Sequence, residues 1–197
     1  MGKFDTIDKL VASGNGYLKT MQVVESGISK HTLAAYVSDR NMEKVAHGIY
    51  LSRERWPDPY YELMLNNQRI IYSHESALHL HGLMEREPRR MNVTVPVGYN
   101  ATHLRKRGVR VYQEQPDVCT MGKETVNTQY GNPVQAFDLE RAICDLIRQK
   151  KTVDIQVFQY AMKEYMKSDK KNIRRLMKYA KSLGILDQVR LYTEVML

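Results

Sequence analysis

The sequence predicts an α+β protein built in two parts, divided near Pro57. Three patterns predict it. Residues 1–56 carry three short amphipathic stretches, each ending at glycine or asparagine, followed by two β-prone triplets around His47-Gly48. Pro57-Asp58-Pro59 then breaks regular structure, because proline fixes φ and removes a hydrogen-bond donor. After a middle stretch of alternating, strand-like segments, the pattern from Leu139 onward is helical almost throughout.

In the first part, Phe4, Ile7, Leu10 and Val11 recur at helical spacing. Gly14-Asn15-Gly16 ends that helix, since these residues accept the left-handed conformation of a helix stop. A short second helix starts near Thr20 and turns Val23 and Val24 inward before Gly27. The third opens at Ser29, a good capping side chain, and runs to about Asn41 with Leu33, Ala34 and Val37 inward. Lys44-Val45-Ala46 and Ile49-Tyr50-Leu51 flank a two-residue turn and read as a hairpin. Helix, helix, glycine corner, helix, hairpin is the order of a winged helix-turn-helix, and residues 1–56 are read as that domain. Ile28 is expected to drop into the core beneath the Ser26-Gly27-Ile28 corner.

Residues 57–197 are read as an α+β domain with a small mixed sheet and a helical C-terminal half. Helices are expected near Tyr60–Asn66 and Ser73–His81, and strands near Met91–Val97 and Val109–Gln113. Thr125–Tyr130 and Val134–Phe137 suggest a hairpin around Gly131-Asn132. Four helices follow, near 139–149, 153–167, 170–183 and 185–195. No repeat of 20–50 residues is visible.

Composition narrows the function classes. At 43% apolar residues the 197-residue chain can bury a core, and it holds no apolar run long enough to span a bilayer. Met1 to Asp8 lacks the apolar stretch of a secretion signal, so a cytoplasmic location is expected, with Cys119 and Cys144 as reduced thiols. A net charge of +8 favours a polyanionic partner, nucleic acid before membrane. Residues 139–197 carry most of it, with thirteen lysines and arginines against seven acids.

In a winged helix-turn-helix the third helix enters the major groove of duplex DNA by its N-terminal residues. Here those are Ser29, Lys30, His31 and Thr32, with Ala35, Tyr36, Asp39 and Arg40 expected further along the outward side. Lys30 suits guanine acceptors or phosphate, and Thr32 can also meet a thymine methyl. Lys19 and Thr20 would sit at the flanking backbone, and Lys44 and His47 in the wing would reach an adjacent groove or phosphates.

A second candidate is a basic stripe: Lys163, Lys167, Lys170, Lys171, Arg174, Arg175, Lys178 and Lys181, opposed by only Glu164 and Asp169. On a helix, Lys170, Lys171, Arg174, Lys178 and Lys181 would share an arc of about 100°. Ile173, Leu176, Ala180 and Leu183 fall opposite, so one helix would bury an apolar face and display a cationic one. The cationic face would contact phosphate backbone, RNA or an acidic protein. Arg105-Lys106-Arg107 with Arg110, and Arg86, Arg89 and Arg90, are smaller clusters.

Catalytic patterns are missing. His74 and His79 are five residues apart, about 140° around a helix, which is wrong for a two-histidine zinc site. Gly122-Lys123-Glu124-Thr125 lacks the glycine and hydroxyl residue of a phosphate loop, and no nucleophile elbow occurs. No enzyme activity, cofactor or metal is expected.

Long blocks resemble the AbiEi family: Gly16-Tyr17-Leu18-Lys19-Thr20 through Gly27-Ile28-Ser29, Leu33, and His47-Gly48-Ile49-Tyr50-Leu51; Tyr72 to Gly82; Asn92 to Pro96; and Val134 to Asp145. Members are antitoxins of type IV toxin–antitoxin systems, linked to abortive phage infection and so to phage defence in bacteria. The resemblance implies that the N-terminal domain represses transcription of its own operon at inverted repeats (autoregulation). It also implies that the C-terminal domain counteracts a nucleotidyltransferase toxin without a stable complex. In such families a basic face on the second domain is linked to antitoxicity and cooperative DNA binding, and Lys163–Lys181 is assigned that role here by its charge. Two other readings stay open: a winged-helix regulator with a ligand- or partner-sensing C-terminal domain, and an enzyme delivered to DNA by its first module.

Overall fold

The computed structural model describes residues 2–196 and the side chains of residues 2–194. These residues form an α+β protein with eleven helices and two small sheets. They divide into two compact units. One comprises the chain up to Asn67 together with Thr128–Asn132, and the other Gln68–Asn127 together with the chain from Pro133 onward.

In the first unit the order is α1 (Lys3–Ser13), β1 (Tyr17–Lys19), α2 (Thr20–Glu25), α3 (Lys30–Asp39), β2 (Glu43–Ala46), β3 (Ile49–Leu51) and α4 (Pro59–Leu65). The strands form an antiparallel sheet in the order β1-β3-β2. Ile7, Leu18, Val23, Ile28, Leu33 and Tyr36 are buried together as the core. The short β1 has no alternation to announce it. It is strand because Tyr17, Leu18 and Lys19 pair with Leu51, Tyr50 and Ile49, far along the chain. Val24 and Ala34, which helical spacing placed inward, are exposed. The one buried residue of the six-residue α2 is Val23, and the next position lies about 100° round the helix.

Pro57 does not end this unit. The buried Asp58 carboxylate caps α4 by accepting from the Tyr61 N–H (3.1 Å), and also accepts from the Thr128 hydroxyl (2.5 Å) and the Asn132 side-chain amide (2.8 Å). The Asp58 N–H donates to the Tyr17 hydroxyl (2.9 Å), which itself donates to Glu62 (2.9 Å). Tyr17 also meets Tyr61 edge-to-face at 5.0 Å. These contacts carry the unit on to Asn67, past the boundary expected at residues 56 and 57. The loop 128–132, between strands paired as the expected hairpin, is held by its own backbone bonds and by side chains, with Asn15 donating to the Tyr130 carbonyl at 2.6 Å.

The second unit contains β4 (Ile71–Tyr72), α5 (His74–Leu80), β5 (Asn92–Pro96), α6 (Thr102–Lys106), β6 (Arg110–Glu114), α7 (Pro116–Thr120), β7 (Lys123–Asn127) and β8 (Pro133–Phe137). Then follow α8 (Leu139–Arg148), α9 (Ile155–Lys167), α10 (Ile173–Ser182) and α11 (Leu186–Met196). Its sheet is mixed, in the order β6-β5-β4-β8-β7: β5 with β6 and β4 with β8 are parallel, and the other pairs antiparallel. In α8 every residue from Leu139 to Ile147 is buried, including Glu140, Arg141 and Asp145. Asp138 caps α8 by accepting from the Arg141 N–H at 2.8 Å. The Arg141 guanidinium donates to the Val118 (2.7 Å) and Met121 (3.2 Å) carbonyls and to Asp145 (3.1 Å). A Cβ at Gly122 would lie 2.8 Å from that of Arg141, and Gly122 has φ +77°, so both space and backbone require glycine there.

His74 opens α5 at φ +51°, in the left-handed region, with its ring stacked on Tyr112 at 3.7 Å. Burial, reinforced by Arg141, Arg148 and Arg110, pushes its pKa down to about 3. The unfolded chain takes up this proton near pH 6.5, so the stability His74 contributes is full above that pH and falls as pH drops toward 3. Urea unfolding should show about 2 kcal/mol lost from this group between pH 7 and pH 5. In His74→Asn, where asparagine tolerates the same φ, that part of the pH dependence should vanish. An unchanged slope would mean the imidazole is protonated in the folded protein.

Candidate nucleic-acid interface

The first candidate site lies on α2, α3 and the β2–β3 hairpin. Gly27, at φ +77°, makes the corner between the helices and lets Ile28 enter the core. Ser29 caps α3: its Oγ accepts from the Thr32 N–H at 3.2 Å and lies 3.0 Å from the Thr32 hydroxyl. The first N–H groups of a helix have no partner within it, so the start of α3 offers donors and a positive dipole end. Lys30 and His31 are exposed beside them, and Thr32 is half-buried by its cap contact.

The hairpin tip is tied to the start of α2. The Thr20 N–H donates to the Gly48 carbonyl at 2.8 Å, and the Thr20 hydroxyl approaches Gly48 closely. Lys19 and Thr20 are thereby brought next to His47, which is exposed, as is Lys44. Lys19 is half-buried, with its ammonium 5.7 Å from the Tyr61 ring centroid. Glu25 and Glu43 are exposed on these same elements, so the positive charge is modest.

Tyr36 sits differently from the expectation, and Arg40, just past α3, is exposed as expected but already paired. Tyr36, expected outward, is 2% exposed, and its hydroxyl donates to Asp8 at 2.6 Å. It lies three positions from the buried Leu33, on the same side of the helix. Arg40 is exposed but pairs with Asp8 (3.5 Å) and Asp39 (3.7 Å) and lies over the Tyr36 ring. It stands at the far end of α3, about 15 Å from Lys30 along the axis. Ala34 and Ser38 share the exposed side with His31 and Ala35, and counting outward from Leu33 would have found them.

The basic stripe is not one helical face. α9 ends at Lys167, and α10 begins only at Ile173, where Asn172 caps it by accepting from the Arg175 N–H (2.9 Å). The Asn172 N–H donates to Glu140 at 2.8 Å, which fixes the start of α10. Lys170 and Lys171 therefore lie in the connection, with Lys171 half-buried and donating to the Ser168 carbonyl. Arg175 is neutralised by Asp138 (3.4 Å) and Glu140 (3.5 Å), and Lys167 pairs with Glu164 (3.3 Å). Arg174, Lys178 and Lys181 remain as an exposed row at helical spacing on α10, with Lys163 exposed on α9.

Both cysteines and His74 of the second unit are buried, His79 and His81 lie against backbone carbonyls, and His103 is exposed near the Tyr99 ring. Burial pushes the Cys144 thiol up to about 12 and raises Cys119 as well. His79 Nδ1 lies 3.0 Å from the Met84 carbonyl and His81 Nε2 2.8 Å from that of Phe137. Among the described residues no group of three or more His, Cys, Asp or Glu is placed to hold a metal ion. No helix among them is long and apolar enough to cross a membrane.

No family model matches the chain, and no curated protein matches it. Among solved structures it is similar to the crystal structure of the RV2827C protein from Mycobacterium tuberculosis, at 13% sequence identity and a TM-score of 0.55. The likeness covers 93% of this chain and 77% of that one. At that identity it extends to the fold.

A Cβ at Gly27 meets nothing within 4 Å, so Gly27→Ala should cost only the left-handed backbone term, about 1–2 kcal/mol. Thermal unfolding should show that loss, and Gly27→Asn should lose less. Equal losses would mean that something other than the backbone sets the corner.

Proposed function

We propose that the chain is a transcriptional autorepressor and antitoxin. In this reading the first unit is a winged helix-turn-helix that binds duplex DNA, and the second counteracts a nucleotidyltransferase toxin in the cytoplasm, as in the AbiEi family that the sequence resembles. One observation carries the DNA half. The elements run helix, strand, helix, helix, hairpin with sheet order β1-β3-β2, and the capped start of α3 is exposed with Lys30 and His31 beside a hairpin whose tip touches α2. A helix about 10–12 Å across with its side chains fits a major groove about 12 Å wide, and the ten-residue α3 would run about 15 Å along it.

The antitoxin half rests on the resemblance. Tyr72–Gly82 and Val134–Asp145, two of the long matching blocks, lie in β4–α5 and β8–α8, and most of their residues are buried. They speak for a shared architecture. Arg174, Lys178 and Lys181 are the exposed groups that suit contact with a polyanion. The protein acts in this reading by binding alone.

Footprinting on the promoter of the chain's own operon tests the DNA half. Lys30→Glu with His31→Glu should weaken operator binding at least about 100-fold, and log K should fall linearly with log salt. Lys44→Ala should weaken all sequences alike and reduce the salt slope by about one. Protection that survives the double variant would remove α3 from the interface.

Co-expression with the adjacent toxin separates the two halves. Charge reversal of Arg174, Lys178 and Lys181 should reduce neutralisation while leaving intrinsic operator affinity within about threefold, because these side chains are exposed and form no ion pair among the described residues. Full neutralisation by that triple variant would return the row to an ordinary solvated surface.

A further inference from the structure

A groove of about 320 Å³ opens beside α9 and α11 in the second unit. Phe158 and Met162, both buried, line it together with Ile155 and Leu191, which are 56% and 61% exposed. Phe158 and Tyr192 meet edge-to-face at 5.2 Å. The Lys150 ammonium lies over both rings, 4.9 Å from the Tyr192 centroid and 5.6 Å from that of Phe158. Among the described residues no carboxylate lines the groove, and two ring faces lie against that charge.

These features define a ligand. Large aliphatic side chains left in water beside a concave apolar surface favour an apolar occupant. At about 30 Å³ per water-sized atom the space holds roughly ten non-hydrogen atoms, at the lower end of small-molecule sites. A lysine with no carboxylate among the described lining residues selects an anionic head and repels a cationic one. A second copy of the chain fits less well. A stable pairing takes about 800 Å² from each partner, with charge depleted at its centre, whereas Lys151, Asp154, Asp187, Arg190 and Glu194 are exposed on the segments that form this groove.

We propose that this groove binds a free medium-chain carboxylate, its chain against Phe158, Met162, Ile155 and Leu191 and its head group paired with Lys150. The site is separate from DNA binding and neutralisation and rests on neither.

Calorimetric titration of the full chain with octanoate and with octanol tests it. Octanoate should bind at one site per chain. Lys150→Ala should weaken octanoate about tenfold and leave octanol unchanged, which a packing role for the lysine stem would not do. Leu191→Glu, at an exposed position, should abolish binding of both with an unchanged circular dichroism spectrum. Several results would overturn the proposal: no octanoate binding, binding unaffected by Leu191→Glu, or equal losses for acid and alcohol in Lys150→Ala. It also fails if octanoate is ignored while Leu191→Glu breaks a concentration-dependent dimer or stops co-sedimentation with phosphatidylglycerol vesicles.

Discussion

The second unit is organised by one constraint: α8 is buried along nearly its whole length while carrying Glu140, Arg141 and Asp145. Charges taken out of water must find partners or destabilise the fold by several kcal/mol. Asp145 is met within α8 by Arg141 and Arg148, while Glu140 and Arg141 reach other elements. Arg141 holds the backbone at Val118 and Met121, at the end of α7, and lies 4.3 Å over the Phe137 ring. Glu140 accepts from the Tyr165 hydroxyl at 3.1 Å and from the Asn172 N–H, joining α9 to the start of α10. The cap residue Asp138 accepts from Tyr179 at 2.9 Å and pairs with Arg175, which seats α10.

The same network determines which cations are left for a partner. Arg175 is close in sequence to Arg174 and Lys178, yet its guanidinium is matched by Asp138 and Glu140. Moving the α10 start to Ile173 takes Lys170 and Lys171 off the helix. What remains is a shorter row than charge alone suggests, on a helix anchored from beneath by buried carboxylates. On a firmly seated helix, any contact made by this exposed row would cost side-chain freedom but little backbone freedom.

In the first unit the corresponding role belongs to Asp58 and Tyr17. Their hydrogen bonds join β1, α4 and the 128–132 loop, and β1 in turn pairs with β3. The hairpin is thus braced at its base by the sheet and at its tip by Thr20. That bracing places His47 and Lys19 together without any contact between their own side chains being needed.

Much of this was legible in the residues themselves. The three helices, the Gly27 corner, the Ser29 cap and the hairpin around His47-Gly48 follow from local rules: helical spacing, capping chemistry and turn preference act within a few residues. The α+β composition and the length of α8 were legible for the same reason. Long-range pairing was not. The strand at Tyr17, the extension of the first unit past Pro57 and the loop at Thr128–Asn132 exist because groups distant in sequence satisfy one another's hydrogen bonds. Tyr36 and Arg175 show the same division at single residues. Sequence determined that each could present a polar group, and the tertiary structure decided that each faces an acid, Asp8 or Asp138, because a buried or half-buried polar atom takes whichever partner the fold brings within reach.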